Sequence, residues 1–533
     1  MTRILTFIIS WVVKSEVRNW RKEEQRKIKA KQTKKIKSSK MQNKTNFGQK
    51  NESRRVGRKS GNLLIAISII ILFLSLIMIL RLVKDKPVFP RGESYYNLRI
   101  AESLKNSAFL SEDSLEGTEH YPNPYRHLIT ALLLIFNSEK ALLFLPLVLG
   151  VASALLFFQL LSFIGVKLGA ASSSLLILSF TPAYLVLFTG LYLTGFTLFL
   201  SLLVIVLLNS KRVFLQITGI ICSLILALTS VTGFALTILI LLVFYLVLKK
   251  NLRVLILSAI ASITLVVFVS LSFRQLPRVL GFHAFNFKDT LSLLGAQLGF
   301  DIFLLLIFLI GFIVVWVRAD NKRFLHLGVL ALFALSFFNT LARAFTSFII
   351  AYYCAVAINF LYKRKWELGI IRTGTLLLVL CSLAFSAANQ MNLLVSAQPD
   401  SSLAEALISF KDLEQGRTLA DEPSGFLIEF YAGKEAWLDD NSFLFKDYKE
   451  KQRVANTLFE SVRIKDAEPF LNQSGIRYIL ITPAMKEELW ENNEKGLWFL
   501  VKNSESFVKR YQKDDIELWE YKPMPLQTEP GLT

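Results

Sequence analysis

Long apolar runs recur through the middle of the chain, at 62–83, 139–164, 168–188, 192–209, 213–229, 231–248, 252–272, 299–317, 324–340, 344–361 and 369–389. A helix needs roughly 20 such residues to cross a bilayer, and these runs reach or approach that length. The pattern predicts about eleven transmembrane helices. The connections are short, apart from a long first loop at 84–138 and a second at 273–298. Beyond residue 389 the pattern changes to short, mixed segments. There Ser402 to Leu413 and Lys451 to Val462 have helical periodicity, whereas Phe426 to Tyr431, Glu435 to Leu438 and Arg477 to Thr482 read as strands. Phe507 to Tyr511 and Ile516 to Tyr521 alternate around Gln512 to Asp515, a hairpin pattern. The fold class expected is a polytopic α-helical membrane protein with a C-terminal extracytoplasmic α/β domain. Its divisions are a basic tail at 1–60, a transmembrane domain at 61–389 and an α/β domain at 390–533.

Composition supports a membrane solvent: 53% of the 533 residues are hydrophobic, with a mean hydropathy of +0.45. The net charge of +20 raises the question of nucleic acid, so its location matters. Residues 14–60 hold 18 Lys and Arg against 4 Asp and Glu, whereas residues 390–533 hold 17 against 25. A basic stretch directly before the first apolar run is what the positive-inside rule requires of a cytosolic tail, and it also attracts anionic lipid. Membrane lipids are therefore the expected partner and nucleic acid is not. The tail, rich in Lys, Gln, Asn and Ser, is expected to be disordered. Met1 to Val13 is apolar but too short to span. With the tail inside, the connections at Gly165 to Lys167, Asn209 to Arg212, Lys249 to Arg253, Arg318 to Arg323 and Tyr362 to Lys365 are also inside, and all carry basic residues. An odd number of spans then places the C-terminal domain outside, in a plasma membrane or its equivalent. The three cysteines, Cys222, Cys354 and Cys381, all lie in apolar runs, so no disulfide supports that domain. Asn472-Gln473-Ser474 is a glycosylation sequon on the extracytoplasmic side.

Nucleotide loops, dinucleotide fingerprints, zinc-ligand pairs and nucleophile elbows are missing. Chemistry must come from acidic and basic residues at the membrane face, and these concentrate in the first loop. That loop opens with Gly92-Glu93-Ser94-Tyr95-Tyr96-Asn97-Leu98-Arg99-Ile100-Ala101-Glu102. Helical spacing groups Glu93 with Asn97 and places Arg99 and Glu102 on another face, as an interfacial polar cluster. A carboxylate there either binds a divalent cation, takes a proton from an acceptor, or only caps and anchors an amphipathic helix.

This stretch resembles the first-loop motif of the catalytic subunits of oligosaccharyltransferases and of the wider GT-C superfamily of membrane glycosyltransferases. Glu93 takes the place of the family's Asp, Tyr95 and Tyr96 the aromatics, Asn97 the Asn or His, and Arg99 the Arg. Tyr121 to Leu128, leading to Phe136, resembles the superfamily's second interfacial helix. Ser179 to Gly195 is similar to a family stretch that ends in a metal-binding acid-x-acid pair, but here Leu193 and Gly195 hold those positions. Neither can ligate a hard cation, so no cofactor is expected, with a divalent metal as the open alternative.

Arg343, at the turn between the ninth and tenth runs, matches the place where GT-C proteins hold the lipid-linked phosphate; snorkelling to headgroups is the alternative. The second loop, with Arg274, Arg278 and Lys288, breaks the positive-inside pattern as an anion-binding loop would, with Asp301 as either a partner or a structural residue. Arg278 joins Arg343 as a phosphate ligand. The resemblance implies a polyprenyl-phosphate sugar donor, an extracytoplasmic glycan, lipid or protein acceptor, and Glu93 as the base. A non-catalytic relative that binds polyprenyl lipids or scaffolds an assembly is the alternative, and a transporter is a third class.

Overall fold

The computed structural model describes residues 46–106, 123–136, 139–248, 252–273, 298–318, 323–364, 366–440 and 447–522, with isolated positions 113, 115, 291 and 442. All eleven apolar runs are helical. In chain order the helices are α1 (Asn46–Val83), then α2 (Gly92–Asn106) and α3 (Pro124–Phe136) in the first loop, followed by α4 (Phe144–Phe163) and α5 (Leu168–Leu178). Next come α6 (Pro182–Leu187), α7 (Leu193–Leu208), α8 (Val213–Thr229), α9 (Val231–Leu248) and α10 (Arg253–Phe273). The bundle closes with α11 (Ile302–Arg318), α12 (Arg323–Leu335), α13 (Thr340–Lys363) and α14 (Gly369–Ser396). Among the described residues, five helices are long and apolar enough to cross a membrane, and seven more are apolar with 10–17 residues.

One expectation for this part needs correction. The third run is not one helix: Thr181 is extended, and Pro182, which has no N–H to give, starts α6 afresh. The helix of the first run, α1, reaches back to Asn46. An apolar span already in place supplies the nucleus, and Lys, Arg and Gln propagate a helix well. Residues 1–45 lie outside the described residues.

The C-terminal part contains α15 (Ser401–Phe410), β1 (Arg417–Leu419), α16 (Gly425–Leu427), α17 (Tyr448–Glu460), α18 (Ile464–Ser474), β2 (Ile476–Ile481), α19 (Pro483–Trp490), α20 (Gly496–Asn503), β3 (Phe507–Lys513) and β4 (Ile516–Tyr521). The strand order is β1-β2-β4-β3, with β1 parallel to β2 and the other pairs antiparallel. The hairpin and the strand at 477–482 are therefore as expected. Phe426 to Tyr431 is instead helical, with α16 running into a π turn at Ile428–Ala432. The reason is that this segment buries successive side chains, Phe426, Leu427, Ile428 and Glu429, which a two-faced strand of period 2 does not require. Glu435 to Leu438 forms only a bridge, with Trp437 N donating to Thr418 O at 2.8 Å. Asn472 lies in the last turn of α18, where the Ser474 hydroxyl donates to Phe470 O at 2.6 Å, so the sequon is helical.

The sheet is buried on both faces. Tyr478 and Leu480 face one continuous core with the helical bundle, whereas Ile479 and Ile481 face a second core with α17, α18 and α20. Glu520, on β4, holds Arg477 at 2.7 Å and also Arg510.

One side chain ties these parts together. Arg81, at the end of α1, is fully buried. Its guanidinium donates to Pro87 O at 2.8 Å and Phe89 O at 3.4 Å on the first loop. It also donates to Leu394 O at 2.9 Å, Val395 O at 3.4 Å, Ala397 O at 2.7 Å and Pro399 O at 3.0 Å, where α14 passes into the C-terminal part. Removing it strands several enclosed carbonyls. Arg81→Ala should lower stability by about 3 kcal/mol, and Arg81→Lys by less, since an ammonium has three donors that cannot span the same set. Thermal unfolding of purified protein in detergent measures both, and an unchanged midpoint in the alanine variant would refute the assignment.

Candidate active site

Helix α2 has two working faces. On the first, Glu93 Oε1 accepts from Leu193 N at 3.1 Å, Asn97 Nδ2 donates to Leu191 O at 2.8 Å, and Ser94 Oγ accepts from Leu191 N at 3.0 Å. Tyr192 closes the set by donating to Pro90 O at 2.8 Å. This face therefore grips the turn that enters α7. Residues 93 and 97, one helical turn apart, both bond to this turn.

The second face holds the C-terminal part. Tyr95 packs against Phe430 and Tyr431, with ring centroids 5.2 and 5.4 Å away, and donates to Phe89 O at 3.1 Å. Burial pushes the Tyr95 hydroxyl well above its ordinary pKa, so it stays a donor. Tyr96 stacks on Phe426 at 4.6 Å, with the Arg126 guanidinium 4.7 Å from its ring centroid. Arg99 makes a bidentate pair with Asp113 at 2.7 and 2.8 Å and a further bond to Glu429 at 2.9 Å. All three charges are buried, which needs this mutual satisfaction. So Tyr95, Tyr96 and Arg99 dock the C-terminal part, whereas Glu93 and Asn97 face the bundle. Glu102 is half-buried on α2. The second loop helix is α3, whose Tyr125 stacks on Phe196 at 4.7 Å.

Arg343 lies in the first turn of α13, buried, with Nε donating to Ser336 O at 3.1 Å. Asn339 caps that helix by accepting from Ala342 N at 2.9 Å. Arg274, Arg278 and Lys288 lie outside the described residues. Asp301 accepts from Phe303 N at 3.0 Å at the start of α11.

The fold has solved counterparts. The Archaeoglobus fulgidus oligosaccharyltransferase in its apo form superposes with a TM-score of 0.55 at 13% identity, over 88% of this chain and 75% of that one. The same archaeal enzyme, AglB, in complex with an inhibitory peptide and a dolichol-phosphate gives 0.50 at 14%, over 88% and 75%. ArnT from Cupriavidus metallidurans in the apo state gives 0.50 at 14%, over 84% of this chain and 97% of that one. The chain has a GT-C fold. No family model matches it, and no curated protein matches it in sequence.

Within this GT-C fold the positions of the oligosaccharyltransferase acid pair do not fit a metal. Leu193 is buried, and its N–H already serves Glu93. At Gly195 a Cβ would lie 2.4 Å from Leu187 O, so no side chain can be placed there without moving backbone. Among the described residues no three of His, Cys, Asp and Glu converge closely enough to hold a metal ion.

Carboxylates do gather more loosely beside Glu93, from residues that sequence reasoning passed over. Gly92 lies close enough to the 421–426 turn that a Cβ there would meet Phe426 Cβ at 3.1 Å and Pro423 O at 3.3 Å. On the other side, a Cβ on Gly425 would meet Leu438 O at 2.3 Å and Asp439 Cβ at 2.6 Å. The 421–426 turn is thus wedged between Gly92, at the start of α2, and Leu438-Asp439. Desolvation, together with Asp439, Glu93, Glu422 and Asp421, pushes the Asp440 carboxyl up to about 7. The adjacent acids at 439 and 440 were the sequence signal available. Arg81, Arg126 and Glu429 had weaker ones, each being a lone charge bordering or interrupting an apolar stretch.

Two outcomes follow from this geometry. Gly195→Asp should cost about 2 kcal/mol by overpacking and should give no metal-dependent rise in unfolding temperature; a stable variant that manganese stabilises would contradict the closed position. Asp440 keeps a proton in the native state that it loses near pH 4 when unfolded, so stability should fall as pH rises from about 4 to 7. Asp440→Asn should flatten that slope in pH-dependent unfolding, and an identical slope would locate the proton elsewhere.

Proposed function

We propose that this protein is a membrane glycosyltransferase that moves a sugar from a polyprenyl-phosphate donor to an acceptor, on the face that carries the first loop and the C-terminal part. The observation that carries this reading is the seat of Glu93. In a GT-C fold, its half-buried carboxylate is held at 3.1 Å by Leu193 N–H, where the first loop meets the entry of α7. Glu93 takes the proton of the acceptor hydroxyl as that oxygen attacks the sugar's anomeric carbon. The donor phosphate leaves with the bonding electrons, and Arg343 and Arg278 stabilise its charge. The dolichol-phosphate in the archaeal neighbour supports this class of donor. A monophosphate donor suits a site without a metal pair.

In the same reading the tail at 1–60 is cytosolic, 61–389 is the transmembrane domain, and 390–533 is an extracytoplasmic domain that presents the acceptor. The closed position at Gly195 favours one second reading, a non-catalytic relative that binds polyprenyl lipid without turning it over. Transfer of radiolabelled sugar in proteoliposomes, from polyprenyl-phosphate and polyprenyl-pyrophosphate donors, separates the two. Glu93→Gln should cut turnover at least about 100-fold, the scale of a lost general base, while donor binding persists. Full activity in that variant would remove Glu93 from the chemistry, and donor binding without turnover in the wild type would establish the second reading.

A further inference from the structure

An apolar cavity of about 790 Å³ lies inside the helical bundle, among α4, α7, α9, α11, α12 and α13. Packed interiors leave few voids larger than one water, so a space of this size calls for an occupant. Among the described residues, the only polar side chains lining it are His326, Tyr352 and Tyr353, and His326 Nδ1 and Tyr353 OH share a hydrogen bond of 2.6 Å. Too little polar surface is left to hold water. Leu239 lines the cavity and is 51% exposed on α9, so the space opens sideways to bilayer hydrocarbon.

The cavity occupies the half of the bundle away from Glu93. Helix α7 starts at Leu193, whose amide holds Glu93, and lines the cavity with Ile205; between residues 193 and 205 a helix rises about 18 Å. From α4 the lining includes its far end, at Ile164, and continues through Gly165 and Val166. Gly165 is exposed, and a Cβ placed on it would meet nothing within 4 Å, which puts the mouth at the 165–167 connection. Tyr245, next to the lining residue Phe244, donates to Leu208 O at 2.9 Å and draws the 209–212 connection beside that mouth. These two connections carry Lys167, Lys211 and Arg212, all exposed, and no carboxylate. Along α12 the lining runs from Leu325 to Leu335, a rise of about 15 Å. That is half of a hydrocarbon core of about 30 Å, the depth of one leaflet.

We infer that this cavity holds one acyl chain of an anionic phospholipid from the leaflet remote from Glu93, with the phosphate at Lys167, Lys211 and Arg212. Basic residues at the mouth select the headgroup, and the depth suits a chain that ends at mid-membrane. Packed side chains separate the cavity from Arg343: Phe345, Thr346 and Phe348 are buried between it and Ile349, the first cavity residue on α13, and Thr346 Oγ1 reaches Leu332 O on α12 at 3.5 Å. The inference does not depend on the transferase reading.

The test is native mass spectrometry of the full chain in detergent, with equal concentrations of palmitoyl-oleoyl phosphatidylglycerol, the matching phosphatidylcholine and undecaprenyl phosphate. One retained phosphatidylglycerol is expected, favoured over phosphatidylcholine by about tenfold or more, as three basic residues at a headgroup allow. No retained phospholipid, or equal retention of the two, overturns the inference without any variant. Ala331→Trp fills the cavity from α12 and should remove most phosphatidylglycerol retention while leaving undecaprenyl phosphate binding unchanged; Ala334→Trp, exposed on the same helix outside the lining, should keep both. A folded Ala331→Trp protein that still retains the phospholipid refutes the site. Lys167→Gln combined with Arg212→Gln should erase the preference over phosphatidylcholine, and an unchanged preference overturns the headgroup assignment. Undecaprenyl phosphate that displaces phosphatidylglycerol, and is itself lost in Ala331→Trp, gives the cavity to the donor chain; that result overturns the phospholipid and leaves the transferase reading standing. Failure of undecaprenyl phosphate to bind at all counts against the transferase reading alone.

Discussion

A guanidinium with no carboxylate partner among the described residues, enclosed by backbone carbonyls, joins the parts of this structure. Arg81 ends the first long helix and draws both the first loop and the end of α14 onto itself. An arginine suits this position because its planar fork presents five N–H donors in fixed directions, so one side chain satisfies carbonyls from two segments, which Lys86 and the Arg91 amide also join through Ser396 O and Gln398 O. Everything of chemical interest lies just beyond that junction. Glu93 follows within a few residues of Pro87 and Phe89, and the C-terminal part starts at Pro399 with Asp400 capping α15.

From that anchor, α2 works as a shared wall. Its polar face is spent on the entry to α7 and its aromatic and cationic face on the turn at 421–432. The interface is satisfied in two ways: stacked rings supply apolar area, and the Asp113, Arg99 and Glu429 set supplies direction. The residues of this one motif are thereby divided between a face on the bundle and a face on the C-terminal part. Only Glu93 retains a carboxylate at the open junction, and the C-terminal part contributes the remaining charge there through Asp421, Glu422, Asp439 and Asp440.

The turn entering α7 also explains how this GT-C fold differs chemically from the oligosaccharyltransferase pattern. Close approach of α6 to α7 at Gly195 leaves room for a hydrogen and nothing more. Glu93 is held there by the Leu193 backbone amide, and further carboxylates, Asp421, Glu422, Asp439 and Asp440, lie on the C-terminal part.

By itself the sequence determined the helices, their order and the switch to an α/β unit, because apolar runs and alternation are local consequences of what hydrocarbon and a two-sided sheet require. It also marked Glu93 and Asn97, since helical spacing alone puts them on one face. It could not show that Arg99 serves as a docking residue, because Asp113 and Glu429 are 14 and 330 residues away and a lone Arg carries no signature of its partner. Phe426 to Tyr431 was read as a strand for a related reason: an apolar hexamer fits either geometry until its neighbours decide which sides are buried. The gathering of carboxylates near Asp440 is the clearest case. Its members come from three separated stretches, and only the packing of Gly92 and Gly425 against facing segments brings them around one turn.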